Sequence, residues 1–176
     1  MIFYSGFMLK NEKEFFNNFL SENDFTLSGF SYGAIKAFEM TLNSSSRIDT
    51  LQLFSPAFFQ DKKESFKKLQ LKMFDKDFQK YQEMFIENCF VPHPIKEKNI
   101  FFSTYCFHAD KTDLIELLYY QWSVENIEKI INKGIIIEVY LSQDDKIIDY
   151  NKVKEFFLPY ATVHTIKNGN HFLQTR

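Results

Sequence analysis

The sequence predicts an α/β domain: about five parallel strands in one sheet, helices on both faces, and a helical cap inserted before the penultimate strand. Three observations carry that expectation. Short apolar or β-branched runs alternate with segments of helical period, the pattern of strands joined by crossover helices. Two of those runs, Thr50 to Phe54 and Ile135 to Leu141, are apolar enough to be interior strands of a parallel sheet. Between a third run and a helical segment stands Gly29-Phe30-Ser31-Tyr32-Gly33, a serine bracketed by glycines at a strand-to-helix turn.

In chain order, Ile2 to Tyr4 reads as a strand ended by Ser5-Gly6. Asn11 with Glu14 three residues later reads as a helix cap and its reciprocal partner, ahead of Phe15, Phe16, Phe19 and Leu20 at helical spacing. Phe25 to Leu27 leads into the glycine-bracketed serine. Ala34, Ile35, Ala37, Phe38, Thr41 and Leu42 then fall on one helix face. After the strand Thr50 to Phe54 comes Ser55-Pro56, and from residue 57 to 133 the pattern is helical, broken at Val91-Pro92-His93-Pro94. This stretch is the predicted cap. Ile135 to Leu141 is the most β-branched strand, Val153 to Leu158 a helix stopped by Pro159, and Thr162 to Ile166 the last strand.

With 176 residues, 45% of them hydrophobic and 25% charged, the chain has the size and balance of one globular domain, 1–176. Its 22 Phe and 9 Tyr are unusual for such a core: either the core is aromatic-biased, or some of Phe58, Phe59, Phe66, Phe74 and Phe85 wall an apolar channel. A net charge of −2 argues against nucleic acid as a partner. No run approaches the roughly 18 apolar residues of a membrane span. Met1 is followed by a strand-like run and Lys10 rather than a leader-like segment, which predicts a cytoplasmic protein. Cys89 and Cys106 lack metal or CxxC spacing and read as reduced structural thiols.

A serine held at a tight strand-to-helix turn presents its oxygen outward, and only small residues two positions before and after let the chain close. To act as a nucleophile it needs a base, and the base needs a carboxylate. Of four histidines, His164 lies in a strand and His93 and His108 in the cap. His171 follows Asn168-Gly169-Asn170 beyond the last strand, at the end of the sheet where Ser31 also emerges. The carboxylate is expected after the preceding strand, where Asp144 and Asp145 are adjacent and only one can face His171. Two backbone N–H groups must receive the oxyanion: Tyr32, directly after the serine, and Phe7, after Gly6 at the end of the first strand.

These residues give the chain a resemblance to the α/β-hydrolase superfamily over nearly its whole length. It looks most like the short bacterial esterases that hydrolyse pimeloyl-[acyl-carrier protein] methyl ester in biotin synthesis. The resemblance rests on Ser5-Gly6-Phe7, Gly29-Phe30-Ser31 with Gly33 to Ala37, Leu53-Phe54-Ser55-Pro56, Leu69-Gln70-Leu71, Asp145-Lys146-Ile147-Ile148-Asp149 and Asn170-His171-Phe172-Leu173-Gln174. It implies a minimal α/β-hydrolase fold lacking three outer strands, which leaves the first strand as a sheet edge. It also implies a catalytic set of Ser31, Asp145 and His171, because the superfamily's acid precedes any residue and two branched apolar ones, a pattern that selects Asp145 over Asp144. The oxyanion hole would be Phe7 and Tyr32.

Two departures stand out: Ser5-Gly6 replaces the usual histidine-glycine pair, and Asn170 the usual glycine. The five residues after His171 leave no room for the usual final helix, which predicts loose packing behind the histidine. The implied reaction is hydrolysis of the methyl ester without metal or cofactor, on a substrate carried by an acidic acyl-carrier protein. Residues 60 to 80 hold seven lysines against four acidic residues. Among them Lys68, Lys72, Lys76 and Lys80 recur every fourth position, a basic stripe for such a carrier if they share one helix. A general short-chain carboxylesterase or an acyl thioesterase would present the same triad, and a non-catalytic module would keep only the shell.

Overall fold

The computed structural model of the chain describes residues 1–21 and 23–175. Five strands, β1 (Ile2–Tyr4), β2 (Thr26–Phe30), β3 (Thr50–Phe54), β4 (Ile136–Ser142) and β5 (Thr162–Ile166), form one parallel sheet in chain order. Among the described residues seven α-helices surround it: α1 (Tyr32–Asn43), α2 (Glu64–Lys76), α3 (Phe78–Phe90), α4 (Lys98–Tyr105), α5 (Lys111–Tyr119), α6 (Val124–Asn132) and α7 (Tyr150–Phe157). This is the minimal α/β-hydrolase architecture that the sequence predicts.

Register assigns the faces. Leu27 pairs with Leu51 and Leu51 with Ile137, while Phe30 pairs with Phe54 and Phe54 with Tyr140. Since side chains alternate along a strand, these two rows point to opposite sides. Leu51, Leu53, Ile137, Val139 and Leu141 pack with Ile35 and Phe38 of α1, Ile127 and Ile130 of α6, and Val153 and Phe157 of α7. The crossovers β2 to β3, β3 to β4 and β4 to β5 therefore share this face and one hand, as successive right-handed connections must. Of the segment 57–133, α6 belongs to this layer and lies on α1. Its start is set by Ser123, whose side chain accepts the Asn126 N–H.

The connection from β1 to β2 runs over the opposite face and so has the opposite hand. In place of the expected capped helix it forms a five-residue 3₁₀ helix, Glu12–Phe16. Asn11 adopts a left-handed conformation (φ 62°) with no side-chain cap bond, and the Glu14 carboxylate accepts from the Tyr105 hydroxyl instead. The short turn suffices because it needs only to deliver Phe16. That ring stacks on Phe54 at 4.9 Å and meets Phe30 at 4.8 Å. Further along the same face the rows turn polar, and Gln52 joins them by donating to the Phe19 carbonyl and to Glu138. The edge strand β1 is limited to three residues, which leaves little unpaired backbone for another chain to join.

Replacing Phe16 with Ala removes the main contact of the β1–β2 connection with the sheet and should cost about 3–5 kcal/mol of stability in urea unfolding. A loss below about 1 kcal/mol would contradict this packing.

Candidate active site

The turn after β2 is built by exclusion. A Cβ on Gly29 would lie 2.1 Å from the Gly33 carbonyl oxygen, and one on Gly33 would lie 2.0 Å from the Tyr4 carbonyl oxygen. No side chain fits at either place. Between them Ser31 is held at φ 52°, ψ −111°, a strained conformation for any residue but glycine. Its backbone is pinned on both sides: the Ser31 N–H donates to Phe54, and the Ser31 carbonyl accepts from Ala34 and Ala57.

The three residues expected to act together are brought together. His171 Nε2 lies 3.0 Å from Ser31 Oγ, and His171 Nδ1 lies 2.6 Å from Asp145 Oδ2. Asp145 Oδ1 accepts the N–H groups of Ile147 and Ile148, which fixes the carboxylate in its own turn. That bond pattern leaves one Asp145 oxygen for His171, whose Nδ1–H donates to it, so that Nε2 faces the serine as an acceptor. Asp144 takes no part. All three side chains are buried, with His171 wholly so.

The expected loose packing behind His171 is not found. Phe172 fills that space, 4.5 Å from Phe90 and 4.8 Å from Phe30, and the His171 ring rests on Phe30 at 5.0 Å. The end of α3 then grips the loop: the His171 N–H donates to the Cys89 carbonyl, Asn170 Nδ2 to the Phe90 carbonyl, and His93 Nε2 pairs with the Asn168 carbonyl. Asn170, where the superfamily has glycine, closes the turn by accepting the Gln174 N–H on its side chain. Residues of and just after α3 thus hold the histidine loop in place. His108 and His164 lie elsewhere, against Phe78 and Tyr140. Cys89 and Cys106 are free thiols, and burial pushes both up, Cys106 to about 12.

Phe7 and Tyr32 flank the serine, and their rings meet edge to face at 6.3 Å. Their N–H groups donate to no protein acceptor among the described residues, which leaves both available to an oxyanion. The Tyr32 hydroxyl donates to Glu116 and Asp113 on α5, so that burial and two carboxylates push its phenol up. Glu116 also receives Lys36, which ties α5 to α1 beside the site.

A cavity of about 160 Å³ opens between α2, α3, α5 and the loop after Asp145. Of the five aromatic candidates for channel walls, Phe59, Phe66 and Phe85 line it, with Gln70, Asn88 and Lys146 as polar members. Phe58 and Phe74 do not; they are buried in the core, Phe58 against Phe156 and Phe74 against Phe7, Phe78 and Tyr81. Phe85 reaches the site through Phe7, 5.9 Å away. Met73, Tyr81 and Met84 continue the cavity into a surface groove lined by Lys76 and Lys80. The four lysines do not share a helix: α2 ends at Lys76, and Asp77 then caps α3 by accepting the Lys80 N–H. All four are exposed, and Lys68 faces Glu64 at 3.8 Å. Sequence reasoning missed one further residue, the buried Glu12, whose carboxylate accepts the Gly6 N–H at 2.7 Å.

No protein-family model matches the chain, and neither does any curated protein sequence. Solved structures do. The bromoperoxidase of Bacillus anthracis superposes with a TM-score of 0.66 at 16% identity, over 84% of this chain and 60% of that one. BioG from Haemophilus influenzae gives 0.62 at 13% identity over 97% and 87% of the two chains, and MenH from S. aureus gives 0.61 at 14% over 97% and 85%. At such identities the likeness carries the fold, that of the α/β-hydrolases. Among the described residues no helix is long and apolar enough to cross a membrane.

Gly33→Ala should prevent native folding or force the turn open, read as loss of soluble protein or a large fall in Tm. Gly134, at φ 80° with open space around it, should tolerate alanine at a cost of about 1 kcal/mol. Equal behaviour of the two variants would contradict the steric account.

Proposed function

We propose that the protein is a serine carboxylesterase that removes the methyl ester of pimeloyl-[acyl-carrier protein]. The observation that carries the esterase reading is the chain of contacts from Ser31 through His171 to Asp145, at a turn with two unengaged N–H groups. His171 Nε2 takes the proton of Ser31 as its oxygen attacks the ester carbonyl, and Asp145 holds the imidazolium that forms. The carbonyl oxygen becomes negative as the Phe7 and Tyr32 N–H groups reach it. The imidazolium then gives its proton to the departing methanol, and a water activated by the same nitrogen releases the acid. Protons are only borrowed and returned, so no cofactor enters the cycle.

The substrate rests on the sequence resemblance together with the cavity. Its apolar walls suit an acyl chain, and it continues outward to Lys76 and Lys80, where an acidic carrier would sit. Lys68 and Lys72 on α2 extend the same basic face away from the groove.

A fluorophosphonate probe should label the wild type at neutral pH and not Ser31→Ala, and Asp145→Asn should lower kcat for a p-nitrophenyl ester by on the order of 10³ to 10⁴. An unlabelled, inactive wild type would end the esterase reading. Reversing the charge of Lys76 and Lys80 should raise KM for the carrier-bound methyl ester while sparing the small ester. Equal effects on both esters would remove the carrier from the proposal and keep the triad.

A further inference from the structure

Glu12 is fully buried at the N-terminus of the 3₁₀ helix, on the inner side of the loop that carries Phe7. One carboxylate oxygen accepts the Gly6 N–H at 2.7 Å, and the other has no hydrogen-bond partner among the described residues. A carboxylate in that position is costly to bury, and what offsets the cost comes from this turn itself: the Gly6 N–H, the Glu12 N–H and the Ser5 hydroxyl all favour its charged form. What the contact does is local. Gly6 is packed from below by the Phe30 ring, which a Cβ on Gly6 would meet at 2.8 Å, and from the side by Glu12. The turn is closed by the Leu9 N–H on the Gly6 carbonyl, with Met8 in a left-handed conformation at φ 61°. The Gly6 N–H and the Phe7 N–H are successive in the chain. Fixing the first fixes the plane of the peptide before the second, and the Phe7 N–H donates to no protein acceptor among the described residues.

We propose that Glu12 is the positioning residue of the oxyanion hole: its carboxylate holds the Ser5-Gly6-Phe7 turn so that the Phe7 N–H faces the oxygen that becomes negative during attack by Ser31. The inference rests on the esterase reading. Glu12 touches neither substrate nor Ser31 and acts only through Gly6. Burial raises its carboxyl above the ordinary range, against the pull of the Gly6 N–H, its own N–H and the Ser5 hydroxyl. The contact needs an acceptor oxygen and not a charge, which separates the two conservative replacements.

The test compares wild type, Glu12→Gln and Glu12→Met in hydrolysis of a p-nitrophenyl ester and in affinity for phenylboronic acid, whose adduct with Ser31 places a charged oxygen in the hole. Glutamine keeps an oxygen at the same reach, and methionine keeps the volume without one. Expected is a loss in kcat on the order of 10- to 100-fold for Glu12→Met with KM unchanged, matched by an equal loss of boronate affinity. Glu12→Gln should restore kcat to within about threefold of wild type. Wild-type kcat in Glu12→Met, a loss confined to Tm, or equal damage in both variants would each overturn the assignment. Should Glu12→Met fail to fold, Glu12→Asp, one methylene shorter, tests the same contact: reduced kcat at unchanged KM supports it, and wild-type kcat overturns it. A wild type that turns over no ester and binds no boronate removes the reaction on which the inference rests, whereas an active wild type with an indifferent Glu12 removes the inference alone.

Discussion

The arrangement at the carboxyl end of the sheet depends on one close approach, that of the Gly33 backbone to the carbonyl oxygens of Tyr4 and Ser5. Because α1 starts against the end of β1 with no side chain between them, Ser31 must take up its strained backbone. The segment leaving β1 must in turn pass beside it. The loop bearing Phe7 is therefore within reach of the serine by construction, and the only freedom left to it is rotation of its peptide planes. A strained serine and a loop with a free N–H at fixed distance are two results of one packing constraint.

A second dependency runs through α3. The histidine loop finds its partners in the carbonyls of Cys89 and Phe90 and in the aromatic cluster around Phe172. This makes use of the phenylalanine excess: much of it fills the space on the second face of the sheet that the 3₁₀ helix alone leaves open. It also means that the cap is not an independent lid. One helix holds the His171 loop, borders the cavity through Tyr81, Met84 and Phe85, and presents Lys80 at the groove.

The features legible in the sequence were those fixed by local physics. The glycines around Ser31 announce a backbone collision, whereas the choice of Asp145 over Asp144 comes from the family resemblance, and the structure shows the turn N–H groups of Ile147 and Ile148 binding that carboxylate. Strands β3 and β5 follow from short runs bounded by turn residues. What failed were local signals overruled by distant partners. Asn11 and Glu14 have the spacing of a cap, yet Glu14 is taken by Tyr105, ninety-one residues away, and Glu12 turns inward to Gly6. The lysine repeat runs through Asp77 without a break in period, although Asp77 followed by Lys80 has the form of a helix start, and that start divides the stripe. Which aromatic residues border the cavity depends on how α2 and α3 rotate against α5, and periodicity does not encode that rotation.

The stiffness of α3 has a metrical consequence. From Lys80 to Phe90 the helix is a rod of about 15 Å, given the rise per residue. One end of that rod stands at the basic groove and the other holds His171. The separation between the place where a carrier would rest and the place where its cargo would be cut is set by a count of helical residues. Cargo length would then be measured by a span between two fixed points rather than by the depth of a blind pit, and inserting or deleting a turn of α3 would retune the ruler.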